Sequence, residues 1–339
     1  MISSGSETFR QLRHATGRRL STLRNRLTLG DVRRRLARES PQRRMVLVTL
    51  LEHLGDIVAC EPIARHLKVQ DPSVYLAWGV KKAYRELIDT NPHIDLTLPM
   101  HCLSERILIA RSGLVDRVHD LHFPGRYCSL CRAPLQRVRD TPLGLDNYFE
   151  HGGILASFAI AGGLPPLDEA PQLTITRAAA ARIDTLGLPG RFAAVSASSN
   201  SLGKDWPRGK WQALLAGVHR ELGLDAVEIG LQPVIRTGEG LRFDLCGKLS
   251  ILESAEVIRR ATLFVGVDSG PAHLANAVGT PGVVLMGAFL GFPVYLPFSG
   301  PYANGEGAEI VRTEGPAAGI PVDEVFAAVR RRLARGRGV

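Results

Sequence analysis

The sequence predicts an α/β protein made of two Rossmann-like halves that face a central cleft. Strand-like apolar runs alternate with helix-like segments from about residue 46 to residue 122, and the alternation returns from about residue 192 to residue 286. In both halves a polar turn follows a buried strand and precedes a helix, which is where α/β folds bind ligands. The chain has 339 residues, 45% of them apolar, and is therefore long enough for two domains.

The first half begins with a predicted central strand, Val46 to Leu50, which is followed by a helix from Ile57 to Leu67. Asp56 lies in the turn between them, where a carboxylate either caps the helix or faces the cleft. Apolar runs and turn residues predict further alternation. In chain order, a strand, a helix, a strand, a helix and a strand are expected at residues 74–78, 81–88, 94–98, 103–112 and 118–122.

The second half begins with a predicted strand at residues 192–196, after a connecting region that contains a helix at 178–186. Ser198 and Ser199 follow this strand and supply small polar groups and N–H donors. Lys204 stands shortly before the next helix, and its ammonium is either exposed or positioned to neutralise a diphosphate. Strands near 226–229 and 243–245 and a helix near 252–260 continue the alternation.

Residues 262–287 carry the most informative pattern, a strand, a turn, a helix and a second strand. The strand is predicted at Leu263 to Val267, the helix at Pro271 to Val278 and the second strand at Val283 to Met286, with a left-handed cap at Gly279. This order places free N–H groups and the positive end of a helix at the carboxyl edge of a sheet. The pattern is typical of a nucleotide-phosphate site.

The turn before this helix supplies the candidate ligands. Asp268 and Ser269 offer oxygens that cap the helix, and Gly270 allows the backbone to approach a ligand closely. His273 lies at the same helix end, where its imidazole is either solvated or donates a hydrogen bond to a phosphate or sugar oxygen. These residues predict an anion site.

The formal net charge of +9 is concentrated at the start of the chain. Residues 1–44 contain twelve arginines and three acidic residues, so the rest of the sequence is neutral overall, which argues against a nucleic-acid-binding body. We expect this extension to lie on anionic lipid, to dock a partner, to stay a solvated tail or to act as an organellar transit peptide. An amphipathic helical stripe, interrupted by Gly17, is formed by Phe9, Leu12, Thr16, Leu20, Leu23 and Leu27.

The five cysteines are odd in number and mostly scattered, which favours a reducing compartment over a secreted disulfide scaffold. The long uncharged stretch at 269–305 is broken by Gly and Pro residues, so it is not expected to cross a bilayer as one helix. We therefore predict a cytoplasmic protein, peripheral at the inner face of the cytoplasmic membrane if the basic extension binds lipid.

Three motifs occur in the order Leu54-Gly55-Asp56, Lys204-x-Trp206-Pro207, and Asp268-Ser269-Gly270-Pro271-x-His273 with Gly279-Thr280-Pro281. Over residues 45–335 they resemble glycosyltransferase family 9, the ADP-heptose heptosyltransferases, in order and spacing. The resemblance implies a GT-B fold, an inverting mechanism, and no metal or other cofactor. It also implies that Asp56 is the general base, that Lys204 binds the donor phosphates, and that the donor site includes Asp268, Ser269, Gly270 and His273.

The expected domains follow from this resemblance and from composition. They are a basic amphipathic extension at 1–44, an N-terminal Rossmann-like acceptor domain at 45–165, a linker at 166–190, a C-terminal Rossmann-like donor domain at 191–320, and a basic C-terminal helix at 321–339, with packing on the N-terminal domain as one option.

The residues suit glycosyl transfer, which passes through an oxocarbenium-like state and releases a diphosphate. No Asp-x-Asp pair, the usual holder of a catalytic metal, occurs in the sequence. Lys204, His273 and the helix N-terminus at Gly270 would instead stabilise the leaving charge. Asp56 would accept the proton of an acceptor hydroxyl as that oxygen attacks the anomeric carbon, and a single in-line displacement inverts the configuration.

Two features depart from the family pattern. The usual small pair before Leu-Gly-Asp is replaced by Glu52-His53, and these residues, with Gly55, are candidates to face the acceptor or to tune Asp56. The acidic residue often used against the donor ribose has no obvious counterpart, and Gln232 is the nearest candidate.

We predict transfer of heptose from ADP-heptose to a hydroxyl of an envelope glycolipid or another glycoconjugate. The alternatives are another nucleotide sugar with a small-molecule or protein acceptor, an isomerase on the same fold, and non-catalytic nucleotide-sugar binding.

A further cluster, His119, His122, Cys128 and Cys131, has a spacing that suits zinc or iron. The two histidines fall on a predicted strand at an odd spacing, which sends their side chains to opposite faces. We therefore favour a loop with reduced thiols that shapes the acceptor pocket over a metal site.

Overall fold

The computed structural model describes residues 4–125, 127–128, 131, 133–134, 140–288, 292 and 294–335. The chain divides into two compact units, Met1–Leu167 and Asp168–Val339. Each unit is built on a parallel sheet whose strands alternate with helices along the chain.

The first unit has a parallel sheet with strands β1 (Met45–Thr49), β2 (Tyr75–Lys81), β3 (Leu96–Met100) and β4 (Arg117–Asp120). Their order is β3-β2-β1-β4, and all residues of the central strand β1 are buried, as its apolar sequence predicts. A short antiparallel pair is formed by β5 (Tyr127–Cys128) and β6 (Ala133–Pro134). The helices are α1 (Ser4–Glu39), α2 (Leu54–Ala59), α3 (Glu61–Gln70), α4 (Arg85–Asp89), α5 (Leu103–Ala110) and α6 (Ile154–Ala161).

The N-terminal extension forms one helix of 36 residues, α1, which continues through Gly17. One face of α1 completes the core of the first unit, where Leu29, Val32 and Leu36 pack with apolar residues of β1, β3 and α5. The extension is therefore part of the first unit and not a separate appendage. The predicted apolar stripe lies on another face and is exposed at Phe9, Leu12, Leu20, Leu23 and Leu27.

The second unit has a six-stranded parallel sheet with strands β7 (Phe192–Ser196), β8 (Asp225–Glu228), β9 (Leu241–Asp244), β10 (Leu263–Val267), β11 (Gly282–Met286) and β12 (Ala308–Arg312). Their order is β12-β11-β10-β7-β8-β9. The helices are α7 (Arg177–Asp184), α8 (Arg208–Leu222), α9 (Ile251–Arg260), α10 (Gly270–Ala277) and α11 (Val322–Arg335).

The boundaries of the second unit differ from the predicted ones. Residues from Asp168 onward belong to it, and α7, expected within a linker at 166–190, packs against α9. The terminal helix α11 packs on α8, β11 and β12 of the same unit, and Val325, Ala328 and Val329 enter its core. Burial of this apolar face explains why α11 belongs to the second unit.

Two predicted helices of the first unit are also shaped differently. The helix expected from Ile57 to Leu67 is two helices, α2 and α3, which meet at Cys60; Pro62 lies in the first turn of α3, where its missing N–H is tolerated. Strand β2 runs on to Lys81, and a 3₁₀ turn precedes α4. Lys81 therefore lies at the carboxyl edge of the sheet.

Each sheet has one point where the strand order reverses. In the first unit it lies between β1 and β4, and in the second between β7 and β10. Loops that leave neighbouring strands on opposite sides of such a point form the usual ligand crevice of an open α/β sheet. In the second unit Gly266 pairs with Ser196, and a Cβ at Gly266 would lie 2.9 Å from the Ser196 carbonyl oxygen. Glycine therefore permits the close spacing of β7 and β10.

Candidate active site

The loop after β7 presents Lys204 at the reversal point of the second sheet. Lys204 ends a 3₁₀ turn, and Trp206 two residues later is buried in the core, where its Nε1–H donates to the Ile320 carbonyl at 3.0 Å. Trp206 also packs edge-on against Trp211 of α8, with ring centroids 5.0 Å apart. Pro207 then caps α8. In the Lys-x-Trp-Pro motif, Trp206 therefore anchors the loop to the core, and Lys204 is the residue that the loop presents at the reversal point.

Lys204 and Asp268 form a buried ion pair, and this contact joins two of the sequence motifs. The Lys204 Nζ lies 2.7 Å from the Asp268 Oδ2 and donates to the Tyr295 hydroxyl at 2.8 Å. The Tyr295 hydroxyl in turn donates to Asp268 Oδ2. Both members of the pair are less than 10% exposed. Two groups thus fix the direction of the ammonium in a place where charges are weakly screened.

The helix that follows Asp268 begins at Gly270, one residue before the predicted start. Neither side chain expected to cap it does so, because Asp268 pairs with Lys204 and the Ser269 hydroxyl donates to the Val267 carbonyl. Ser269 is the N-cap of α10 in extended backbone, and Pro271 stands in the first turn. His273 is buried, and its ring is tilted against Phe298 with centroids 4.8 Å apart. The predicted left-handed residue Gly279 has φ 73°. The positive end of α10 therefore lies beside the Lys204–Asp268 pair, at the carboxyl edge of β10.

The other predicted donor residues lie in two loops of the second unit. Ser199 accepts a hydrogen bond from the Ser201 N–H at 3.0 Å, and its own N–H donates to Asp205 at 2.7 Å, so it stabilises the loop. Ser198 lies in the same loop, half-buried. Gln232 is exposed in the loop after β8.

The loop that carries Gln232 follows Glu228, the last residue of β8. Glu228 is buried, and its Oε1 accepts hydrogen bonds from the backbone N–H groups of Val234 and Ile235 at 2.8 and 3.1 Å. Glu228 therefore fixes the loop that carries Gln232.

In the first unit, the loop after β1 leads into α2 at the reversal point of that sheet. His53 is the N-cap of α2, and its backbone N–H donates to Asp56 Oδ2 at 3.2 Å. Asp56 is half-buried in the first turn of the helix. The N-cap of α2 is therefore His53 and not Asp56, and the Asp56 carboxylate accepts the hydrogen bond from the backbone of that N-cap residue.

Lys81 and Tyr84 lie near Glu52 and Asp56, although no sequence motif marks them. Lys81 forms an ion pair with Glu52. Burial raises the pKa of Tyr84, the charge of Lys81 lowers it, and the carboxylates of Glu52 and Asp56 raise it, with a net increase. The phenol thus stays protonated beside the two carboxylates. The informative signal was position, since Lys81 ends β2, the strand next to β1.

A buried hydrogen-bond network supports the loop that leads to Asp56. Asp120, at the end of β4, accepts a hydrogen bond from the Thr49 hydroxyl at 2.8 Å and forms an ion pair with Arg106. Its Oδ1 also lies 2.9 Å from His122 Nδ1, and His122 Nε2 accepts the Leu51 N–H at 3.2 Å. Burial alone would raise the pKa of Asp120, but His122, Arg106 and Thr49 lower it below its usual value. The network fixes Leu51, just before Glu52.

The four residues of the suspected metal cluster do not come together. His119 Nδ1 lies 2.7 Å from the Gly162 carbonyl oxygen, and His122 belongs to the Asp120 network. Cys128 and Cys131 instead lie beside Cys102 and His14. The odd spacing of the two histidines on a strand already argues against a metal site formed by these four residues. His14 and Cys102 are too distant in sequence from Cys128 and Cys131 for their proximity to be recognised from spacing.

Residues 155–289 match the family described as Glycosyltransferase family 9 (heptosyltransferase). The matched segment includes Lys204, Asp268 and His273 but not Asp56. Lipopolysaccharide heptosyltransferase 3 of Escherichia coli is 30% identical over 116 residues, which are 31% of this chain and 34% of that protein. The chain thus spans about a third of the length of the curated relatives it matches. These matches confirm the family resemblance that the motifs predicted.

Solved structures confirm the fold over most of the chain. The ADP-heptose lps heptosyltransferase II of E. coli superposes with a TM-score of 0.65 at 17% identity and covers 87% of this chain and 100% of its own. A glycosyltransferase of family 9 from Veillonella parvula DSM 2008 gives a TM-score of 0.64 at 20% identity, with 86% and 97% covered. The fold is GT-B, as predicted, with one Rossmann-like sheet in each unit.

Proposed function

We propose that this protein is an inverting glycosyltransferase that moves heptose from ADP-heptose to a hydroxyl of an envelope glycolipid, without a catalytic metal. The observation that carries the proposal is the buried contact between Lys204 and Asp268 at the positive end of α10. This arrangement brings a cation and a helix N-terminus to the reversal point of the second sheet, where a diphosphate would bind. The names of the similar proteins support heptose and ADP as parts of the donor.

In this proposal the second unit stabilises the leaving group. Negative charge grows on the diphosphate as the glycosidic bond breaks, and fixed donors stabilise that charge without reorganising. Asp268 and Tyr295 hold the Lys204 ammonium in place for this role. His273 donates to a phosphate or sugar oxygen, and Ser198, Ser199 and Gln232 contact the nucleotide sugar from their two loops.

The first unit supplies the base and the acceptor site. Asp56 accepts the proton of the acceptor hydroxyl while that oxygen attacks the anomeric carbon, and the single displacement inverts the configuration. Glu52, His53 and Gly55 lie beside Asp56 in the chain and contact the acceptor. Glu52 is engaged in an ion pair with Lys81, so we assign it to the acceptor site and assign proton transfer to Asp56.

Donor binding and product formation test the proposal together. Calorimetry with ADP-heptose, ADP-glucose and UDP-glucose should show tightest binding of ADP-heptose. Mass spectrometry of a lipopolysaccharide-derived acceptor incubated with ADP-heptose should then show one added heptose, and NMR of the product should show inverted anomeric configuration. Tighter binding of a UDP-sugar would favour a different donor. Binding without a product on any acceptor would favour a nucleotide-sugar binding protein, and donor conversion without an acceptor would favour an isomerase.

We further propose that the exposed stripe of α1 places the protein on the inner face of the cytoplasmic membrane. The described residues contain no helix that meets the length and apolarity of a membrane span. At 100° per residue, Arg13 and Arg24 fall on one side of the exposed stripe and Arg19 and Arg26 on the other. An apolar stripe between two basic rows is suited to an anionic lipid surface.

Vesicle flotation tests this membrane contact. The wild-type protein should bind vesicles that contain phosphatidylglycerol, bind phosphatidylcholine vesicles weakly, and lose binding at high salt. Leu20→Glu should weaken binding at least about tenfold, because burying a leucine side chain contributes on the order of 1.5–3 kcal/mol. Val69→Glu, at an exposed apolar residue at the end of α3, is the matched control and should bind as the wild type does. If Leu20→Glu bound these vesicles as tightly as Val69→Glu and the wild type do, the stripe would be excluded as the lipid-binding surface.

A further inference from the structure

Three thiols and an imidazole from distant parts of the chain come together in the first unit. His14 comes from α1, Cys102 from the N-cap of α5, and Cys128 from β5, with Cys131 shortly after it. Their ligand atoms all lie within 4.8 Å of one another. His14, Cys102 and Cys128 are buried, and Cys131 is partly buried. None of these four residues belongs to the Asp56 loop or to the residues proposed to bind the donor.

The distances between these atoms fit a tetrahedral metal site. With metal–sulfur bonds of about 2.3 Å and metal–nitrogen bonds of about 2.0–2.1 Å, two sulfurs of a tetrahedron lie about 3.8 Å apart and a sulfur and a nitrogen about 3.6 Å apart. The Cys102 and Cys131 sulfurs are 3.7 Å apart. The His14 Nε2 lies 3.1 Å from the Cys131 sulfur and 4.0 Å from the Cys128 sulfur, distances that bracket the expected one.

A second layer of residues orients the imidazole. The Nδ1 of His14 lies 3.1 Å from Nε2 of His101, and the two rings are 4.7 Å apart between centroids. If His14 Nδ1–H donates to His101, the lone pair of Nε2 points at the sulfurs, which is how metal-ligating histidines are usually held. Gly17, one turn along α1, leaves room for the His101 ring, because a Cβ there would lie 2.7 Å from His101 Cε1.

The charge around the group also suits a metal with bound thiolates. Three thiolates and one divalent cation carry a net charge of −1. The Arg18 guanidinium donates to the Cys131 sulfur at 3.3 Å and supplies the opposite charge. Hydrogen bonds and positive charge beside a ligating sulfur stabilise its thiolate form.

We propose that His14, Cys102, Cys128 and Cys131 bind one thiophilic divalent metal ion, Zn²⁺ or Fe²⁺, as a structural site. Three cysteines and one histidine are a ligand set of structural zinc sites, and thiolates also select iron. The ion would tie α1 and the short β5–β6 pair to α5. Strands of two residues bury little apolar surface, so an ion would stabilise them where packing does not.

Metal analysis of the full-length protein tests this site. Purified protein should contain about one equivalent of zinc or iron, and the element found decides between the two ions. Cys128→Ser should lower the metal content at least tenfold, whereas Cys60→Ser, a buried thiol at the junction of α2 and α3, should leave it unchanged. His101→Ala should retain the fold and bind the metal about 10–100-fold more weakly, as measured by competition with a chelator.

Two further measurements keep the result interpretable if Cys128→Ser fails to fold. Chelation of the wild-type protein should lower its melting temperature, and added metal should restore it. Co²⁺ bound in place of the native ion should show the intense visible bands of a tetrahedral thiolate complex. Metal-free wild-type protein with five titratable thiols, a disulfide between Cys102 and Cys131, or metal content that Cys128→Ser leaves unchanged would each overturn the proposal.

Discussion

Asp56→Asn is expected to lower the rate of sugar transfer about 10²–10⁴-fold, which is the usual contribution of a general base. The amide oxygen of Asn can still accept the hydrogen bond from the His53 N–H, so α2 should begin as before. The amide cannot take up a proton from the acceptor hydroxyl. Because the proposed donor site lies in the second unit, affinity for ADP-heptose should change by no more than a few-fold.

Transfer rate and donor affinity are measured separately, by product formation and by calorimetry. Glu52→Gln is the matched control, since it neutralises the neighbouring carboxylate and breaks its ion pair with Lys81. We expect it to raise KM for the acceptor and to leave kcat within about tenfold of the wild type. If Glu52→Gln abolished transfer and Asp56→Asn retained it, the base would have to be reassigned to Glu52.

Lys204→Met is expected to have the second largest effect, on both catalysis and stability. Loss of a fixed positive group beside the leaving diphosphate should lower kcat about 10²–10³-fold. The substitution also leaves the Asp268 carboxylate buried without its cation, and breaking a buried pair in this way costs about 3–5 kcal/mol in the free energy of unfolding. Denaturant unfolding and product assays of the same preparation measure the two effects.

A double variant separates these two effects. Lys204→Met combined with Asp268→Asn removes both charges, so most of the lost stability should return while transfer stays low. Lys210→Met is the control, because the Lys210 ammonium donates to the carbonyls of Ala318 and Ile320 and not to Asp268. Transfer by Lys204→Met within a few-fold of the wild type would contradict the role assigned to Lys204.

The strands and most helix positions follow from local sequence, and they could be predicted well. Strand β7 and strand β10 have the predicted bounds, because a run of apolar residues between turn residues defines a buried strand. Helix α1 was harder. The concentration of positive charge in residues 1–44 indicates an appendage, whereas one face of the helix is covered by the core through contacts made by Leu29, Val32 and Leu36. Such contacts depend on residues far away in the chain.

The candidate site was predictable where a motif marks the end of a strand. Lys204 and Asp268 were both expected near a diphosphate, and they are in contact. Tyr295, which bonds to both, lies in a segment without regular secondary structure and has no periodic signal. Arg106 and Asp120 form a buried ion pair. Asp120 lies opposite Thr49 because β4 pairs with β1, and the sequence alone does not show this pairing. The proximity of Cys102 and His14 to Cys128 and Cys131 could not be predicted either, because it depends on contacts between residues far apart in the chain.

Gly266 has a consequence for how this site tolerates mutation. Any larger residue at this position would press on the Ser196 carbonyl and separate β7 from β10. Lys204 follows the first of these strands and Asp268 the second, so the pair would move apart although neither residue had changed. The geometry of the proposed donor site therefore also depends on Gly266, which contributes no side chain to it, and a harmful variant there would be mistaken for a folding defect alone.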